Sequence, residues 1–244
     1  MVDAGIQGKA MVFGATGFTG RAVVAELLAR GVPVVAHVRP DSQRLGEWRE
    51  RFSKLGAEVD AAAWEEQALA AALSLHRPAY VFGCLGTTRK RMKKVAAQGR
   101  DPQTQGYEAV DYGLTVMVLD AAKAAGLRPR FVYISAVGGA KPGMSAYSKW
   151  RYRTEQAVIK SGVPYNIARP SFIMGPGRDE ARPNEILGAR LLDGCLQLLV
   201  LVGLRKYRDR LRSTTNQVLA RNLVRVALEP GAQNQIFESE QLRE

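Results

Sequence analysis

Gly14, Gly17 and Gly20 stand three residues apart in the stretch Gly14-Ala15-Thr16-Gly17-Phe18-Thr19-Gly20. Apolar residues that read as a buried strand precede it, and an amphipathic helical pattern follows. A strand-to-helix turn with this spacing can cradle a pyrophosphate. One glycine permits the tight turn, a second lets the backbone approach the phosphates, and a third lets helix and strand pack closely. The helix that opens there offers unpaired N–H groups and the positive end of its dipole. The spacing is Gly-x-x-Gly-x-x-Gly rather than Gly-x-Gly-x-x-Gly, but its strand–turn–helix context is the one the chemistry requires. Gly14, Thr16, Gly17, Phe18, Thr19 and Gly20 are therefore candidate contacts to a dinucleotide.

The second apolar run ends at His37-Val38-Arg39-Pro40. A site for the unphosphorylated dinucleotide carries an acidic residue near this point to accept from the ribose 2′-OH. Here Arg39 stands in its place, and a guanidinium fork suits a 2′-phosphate. Thr16, Arg44 and Lys54 are close enough in sequence to add to it. NADP(H) is the expected cofactor, with NAD(H) as the alternative. His37 reads as a strand residue rather than a catalyst.

These residues need a scaffold, and the first 170 residues supply one by alternating short apolar runs with helical patterns. Strands are expected at 9–14, 33–38, 57–60, 80–85, 131–135 and 164–168. Helices are expected at 18–30, 64–75, 107–125 and 145–160. Such alternation implies an α/β fold, a doubly wound parallel Rossmann sheet covered on both faces. After Pro170 the pattern changes: Gly175, Pro176, Gly177 and Pro183 mark a loop, then helical stretches follow at 185–202 and 216–228. We expect residues 1–174 to form the dinucleotide-binding domain and 175–244 a small C-terminal substrate cap packed on it. Residues 235–238 could form a short edge strand.

The bulk properties narrow the class. A chain of 244 residues, 46% hydrophobic and 24% charged, can bury a full core. No apolar run is long enough to span a bilayer, and a strand begins within the first ten residues, which leaves no room for a secretory signal. Cys84 and Cys195 make neither a disulfide framework nor a metal site, so no metal is expected and a reducing cytoplasm is the expected location. The net charge of +12 favours anionic partners in general. No stacking aromatics or nucleic-acid motif accompany it, so a solvated basic surface is the simpler reading.

The glycine pattern resembles the atypical and extended short-chain dehydrogenase/reductase superfamily. Gly83-Cys84-Leu85-Gly86-Thr87-Thr88-Arg89 and the stretch from Arg178 to Glu185 resemble its Tat-interacting, metastasis-suppressor type oxidoreductases. Complex I-associated and NmrA-like nucleotide sensors belong to the same wider set. The resemblance runs from about Lys9 to Leu228. It implies that Gly83, Leu85, Gly86 and Thr87 lie beside the adenosine side of the dinucleotide. Pro170, Ser171, Phe172 and Ile173 would hold the nicotinamide, and Asp60 would be the adenine-binding acid.

The resemblance also implies a catalytic set of Ser, Tyr and a Lys four residues after the Tyr, with tyrosinate as general acid/base. The free phenol titrates near 10, so a neighbouring cation must lower it for work near neutrality. Ser135 ends the fifth strand and Tyr147 follows at the family's spacing; Tyr147 would also face the nicotinamide ribose. Four residues on stands Arg151 instead of Lys. It keeps the charge, but its planar fork differs from an ammonium and does not exchange protons. Glu155 matches the acidic position that follows the lysine, and Asp111 sits where relatives carry a group that supports the proton relay.

The expected function is hydride transfer between NADP(H) and a small carbonyl or alcohol, whose identity the sequence does not fix. The alternative is a cofactor-dependent redox sensor or scaffold. The basic loop 89–94 could then engage a protein partner. Residues 196–212, apolar and then basic, are also compatible with peripheral membrane contact, although a cap helix explains them more simply.

Overall fold

The computed structural model describes residues 8–175, 208 and 211–243. The expected strands form one seven-stranded parallel sheet. It comprises β1 (Ala10–Phe13), β2 (Val34–His37), β3 (Glu58–Asp60), β4 (Tyr80–Gly83), β5 (Arg130–Ile134), β6 (Tyr165–Arg169) and β9 (Gln235–Glu238). Their order is β3-β2-β1-β4-β5-β6-β9, so the chain starts in the middle, runs to one edge, and returns to build the other. This is a Rossmann-type α/β fold. The reversal lies between β1 and β4, where a crevice opens at the strands' C-terminal ends.

Strands buried on both faces must be apolar throughout, and alternation sends neighbours to opposite layers. Ala10 and Val12 pack on one face with α1 (Phe18–Ala29), α2 (Leu45–Lys54) and α7 (Asn216–Leu228). Met11 and Phe13 pack on the other, against α3 (Glu66–His76), α5 (Leu114–Ala124) and residues of α6 (Ala146–Lys160). The strands β7 (Ile173–Met174) and β8 (Thr214–Thr215) make a separate two-stranded ribbon.

Three features depart from the sequence expectation. Residues 89–94 are not a loop: α4 (Arg89–Ala97) runs through them, with the Thr88 hydroxyl capping its first turn by accepting from the Arg91 N–H at 3.1 Å. Five cations in six residues hide a helix whose apolar anchor is Val95. The helix expected from 107 opens as a π-helix, Tyr107–Gly113, before α5 continues it. Residues 216–228, expected in the cap, instead supply α7 to the main sandwich, because Leu219, Leu223 and Val226 bury against the sheet, while 235–238 form the expected edge strand β9. Residues 178–185, the helical stretch 185–202, most of 196–212 and Cys195 lie outside the described residues. No helix among the described residues is long and apolar enough to cross a membrane.

Candidate functional site

The loop after β1 is closed by the Gly17 N–H donating to the Gly14 carbonyl at 2.9 Å. Gly14 has φ +76°, in the left-handed region that side chains resist. A Cβ on Gly20 would run into the Gly14 carbonyl, so helix and strand meet at a distance only glycine allows. Gly17 caps α1 without a side-chain bond, leaving the first-turn backbone to carry the positive dipole end, with Phe18, Thr19 and Gly20 as its first three residues.

Gly14, Thr16 and Gly17 form one wall of a cavity of about 280 Å³, with Arg39, Leu85 and Gly86 among the others. His37 and Trp64 line it too, their ring centroids 4.8 Å apart. Burial holds the His37 imidazole below its ordinary value, against the pull of the Ala62 carbonyl 2.9 Å away and of Asp60. The Arg39 side chain is 43% exposed and pairs with the Asp41 carboxylate at 3.5 Å. It also lines an adjoining basic cavity of about 470 Å³ with Arg44, Arg91 and Lys94. The Arg44 fork is gripped by Glu47 at 2.6 and 2.7 Å, and Lys54 pairs with Glu50 and lines neither cavity.

Asp60 sits differently from its expected place beside adenine. Its carboxylate accepts from the Ala62 N–H at 2.9 Å and lies 3.3 Å from His76 Nε2, and it lines no part of the cavity. The strand it ends is short, and the turn onto α3 folds the side chain back on its own loop. Gly83 ends β4 between Phe13 and Tyr133, where a Cβ would press on the Phe131 ring. Thr87 is fixed from both ends: its N–H donates to Asp111 at 3.0 Å and its hydroxyl to the Gln105 carbonyl at 2.7 Å.

Tyr147 and Arg151 meet as the helical spacing requires, with the guanidinium 5.2 Å from the Tyr147 ring centroid. They line a second cavity, of about 830 Å³, together with Thr87, Tyr107, Ser171 and Phe172. Tyr107 packs edge-on against Tyr147 at 5.4 Å. Arg151 is buried and both its terminal nitrogens are engaged: it donates to the Tyr133 hydroxyl at 3.0 Å and the Ile134 carbonyl at 2.6 Å, and pairs with Asp111 at 2.8 Å. Burial opposes the guanidinium charge, but Tyr133, Tyr147 and Asp111 outweigh it and hold Arg151 firmly protonated. Burial likewise pushes the Asp111 carboxyl up, while Arg151 and the Thr87 N–H pull it down. Tyr133 went unnoticed in the sequence. The signal was there, since the strand's period of two puts Tyr133 and Ser135 on one face.

Ser135 is turned elsewhere. Its hydroxyl donates to Glu155 Oε1 at 2.5 Å, and it is absent from the described lining of the Tyr147 cavity. Glu155 in turn accepts two bonds from Arg169, at 3.0 and 2.6 Å, and Arg169 reaches Glu238 on β9 at 2.7 Å. The chain Ser135–Glu155–Arg169–Glu238 ties α6 to β5, β6 and β9 beneath the site. A hydroxyl already donating to a carboxylate has no proton left to offer a substrate carbonyl. In the segment after β6, the Pro170 carbonyl accepts from Val137, the Ser171 hydroxyl donates to the Leu211 carbonyl at 2.6 Å, and Phe172 is 53% exposed. Ile173 pairs with Thr214 in the small ribbon.

A family model described as NAD(P)H-binding matches residues 14–186. The chain belongs to this NAD(P)H-binding family. Its relatives place it in the atypical short-chain dehydrogenase/reductase superfamily. It is similar to the chloroplastic divinyl chlorophyllide a 8-vinyl-reductase of Oryza sativa subsp. indica, 35% identical over 171 residues, which cover 66% of this chain and 39% of the reductase. It is 27% identical to the chloroplastic protein TIC 62 of Oryza sativa subsp. japonica, over 68% of this chain and 35% of that protein. The mitochondrial protein fmp52-2 of Aspergillus terreus is 32% identical over 70% of both chains. The chain thus spans under two fifths of the two rice proteins it matches. Among solved structures, WbmG of Bordetella bronchiseptica in complex with NAD shares the fold at 13% identity, with a TM-score of 0.62 over 97% of this chain and 74% of that one. AtPrR2 with NADP⁺ and (+)pinoresinol does so at 15% identity, with a TM-score of 0.64 over 98% and 74%.

The residues present fit such a cofactor. The glycine turn leaves room for backbone approach at Gly14 and Gly17. Beside Tyr147, Arg151 Nε is a buried donor with no hydrogen-bond partner among the described residues, which a ribose hydroxyl would satisfy. Cys84 provides an independent probe. It lines the first cavity, and burial pushes its thiol up to about 12. Thiolate being the reactive form, alkylation of Cys84 at pH 8 should run at least about 100-fold slower than a free thiol. NADP⁺ should slow it further, as read by mass spectrometry of the Cys84 peptide; a rate indifferent to the dinucleotide would place binding elsewhere.

Proposed function

We propose that this chain transfers a hydride between NADP(H) and a small carbonyl or alcohol, with Tyr147 as the acid/base. The observation that carries this reading is the pairing of Tyr147 with Arg151 on the wall of the larger cavity, alongside the glycine-loop cavity. The chemistry a bound NADPH would supply is a hydride to the carbonyl carbon. Tyr147 Oη–H donates the proton to the carbonyl oxygen, giving the alcohol, and takes its own proton back from solvent; the reverse reaction runs through the same atom. Arg151 holds a fixed positive charge 5.2 Å from the Tyr147 ring centroid, where it would offset negative charge that develops as the proton moves. Asp111, Tyr133 and the Ile134 carbonyl hold that fork in place. Ser135 acts through Glu155 as a positioning residue rather than by touching substrate.

Preference for the phosphorylated dinucleotide rests on Arg39 at the β2 end, half-exposed beside the basic cavity and with no competing carboxylate closer than 3.5 Å. Arg39→Ala should weaken NADPH binding by about 10- to 100-fold, the value of a charge-assisted phosphate contact, and leave NADH within about twofold. Equal losses for both dinucleotides, measured by fluorescence titration, would remove the argument for NADP(H). The cytoplasm remains the proposed location on the strength of the cysteine usage.

The deciding experiment is NADPH oxidation across a panel of aldehydes and ketones with the purified protein. Turnover with any of them supports the reading. Tight NADPH binding with no oxidation across the panel would overturn it in favour of a cofactor-dependent sensor.

A further inference from the structure

Helix α4 carries five cations, and the fold sorts them onto two sides. Arg91 and Lys94, with Val95 and Gln98 on the same face, line the basic cavity next to Arg39. Arg89, Lys90 and Lys93 face nearly the opposite way, spaced i, i+1, i+4, and line the large cavity that holds Tyr147. The described lining of that cavity contains no Asp or Glu. Arg151 is the fourth cation there, but Asp111 already balances it at 2.8 Å. Arg89, Lys90 and Lys93 make no ion pair among the described residues, so three uncompensated charges stand on one wall. Tyr107, Phe172 and Ile173 add apolar surface to the same lining, with Phe172 53% exposed. A cavity lined by uncompensated cations, apolar surface and a proton donor selects by charge as well as by shape.

We propose that the substrate is a small anion: a carbonyl or alcohol compound with an apolar body and a carboxylate or phosphate, the anionic group held by Arg89, Lys90 and Lys93. The apolar body lies against Phe172 and Tyr107, which brings the reacting carbon towards Tyr147. This rests on the hydride-transfer reading for its chemistry but not for the binding site itself. The Thr88 cap adds to it, since it fixes the start of α4, where the helix dipole also favours an anion. The same helix thus serves two anions, the cofactor's phosphate on one face and the substrate's charge on the other.

The test compares matched pairs on the NADPH-loaded protein: 4-carboxybenzaldehyde and 4-formylphenyl phosphate against benzaldehyde. The charged compounds should show a KM about 10-fold lower, since each solvated cation adds only a few-fold and three act together. That preference should shrink as salt rises. In the triple variant Arg89→Gln, Lys90→Gln, Lys93→Gln the ratio should collapse to within about twofold. Which of the two anions gains more separates carboxylate from phosphate as the natural group. A separate arm needs no turnover: calorimetric titration of benzoate, phenyl phosphate and benzyl alcohol into the NADP⁺-loaded protein. Salt-sensitive binding of the two anions that the triple variant loses supports the site even if no aldehyde is reduced, which would sink only the hydride-transfer reading. Equal binding of anion and alcohol, or a preference that survives in the triple variant, overturns the proposal. The salt dependence of the unaltered protein decides the matter should the triple variant not fold.

Discussion

Tyr147→Phe is expected to lower kcat at least about 100-fold with any carbonyl the protein reduces, because general acid catalysis contributes about 10²- to 10⁴-fold and the phenol is the proton donor on this cavity wall. The ring should stay where it is. Its contacts are to the Tyr107 edge at 5.4 Å and the Arg151 guanidinium at 5.2 Å, and phenylalanine keeps both. NADPH affinity should therefore change by no more than about fivefold, as a single hydroxyl contact is worth about 1 kcal/mol or less. The measurement is kcat and the NADPH dissociation constant on the same preparation. A Phe variant as active as the parent would mean that the proton comes from another group. Arg151→Lys offers a complementary reading. An ammonium at that position cannot reach Tyr133, the Ile134 carbonyl and Asp111 together, so loss of activity there would reflect lost positioning rather than lost charge.

Arg169→Met should destabilise the protein by about 3–5 kcal/mol, because it strands Glu155 as a buried carboxylate that keeps the Ser135 hydroxyl but loses its countercharge. Glu155 has 1% of its side chain exposed, and Arg169 has 9%. The accompanying fall in melting temperature should be roughly 6–20 °C for a domain of this size. Removing both charges in Arg169→Met/Glu155→Met should cost less than the single change, since no uncompensated charge is left behind. Urea midpoints for the two variants decide it. A single variant within about 1 kcal/mol of the parent would show that water reaches Glu155 and that the Ser135–Glu155–Arg169–Glu238 chain contributes little.

Much of the cofactor half was legible because it depends on local rules. The three glycines, the strand before them and the helix after them are contiguous, so spacing alone specifies the turn. The place of Arg39 on the glycine-loop cavity was readable for the same reason: it follows a strand whose position relative to the glycines is fixed by one helix. The catalytic half depends on tertiary contacts, and the reading there was mixed. Tyr147 and Arg151 share a helix and met as periodicity requires. Ser135 comes from a different element, and what its hydroxyl bonds to was settled by Glu155 rising from α6 and Arg169 crossing from β6. The setting of Asp60 was hidden for the same kind of reason, since the turn after β3 folds back and its carboxylate accepts from the Ala62 N–H rather than lining the cavity.

The basic stretch 89–94 shows the limit from another side. Its charges mask a short helix anchored by one buried valine, and composition could say only that it attracts anions. The fold decides where those charges go, placing Arg91 and Lys94 on the cavity with Arg39 and Arg89, Lys90 and Lys93 on the cavity with Tyr147. Likewise α7 looked like part of a cap, because a helix carries no label saying which face it joins, whereas the edge strand at 235–238 was foreseen.

The amino-acid sequence by itself determined the parallel α/β architecture, the dinucleotide turn and the Tyr147–Arg151 pair, because each is written within a single element or across one turn. The tertiary structure alone decided that Arg151 is locked by Asp111 and Tyr133, that Ser135 serves Glu155, and that one helix divides its charge between two cavities. Those outcomes depend on side chains far apart in the chain competing for the same buried donors and acceptors, and only the packed sheet determines which of them come within reach.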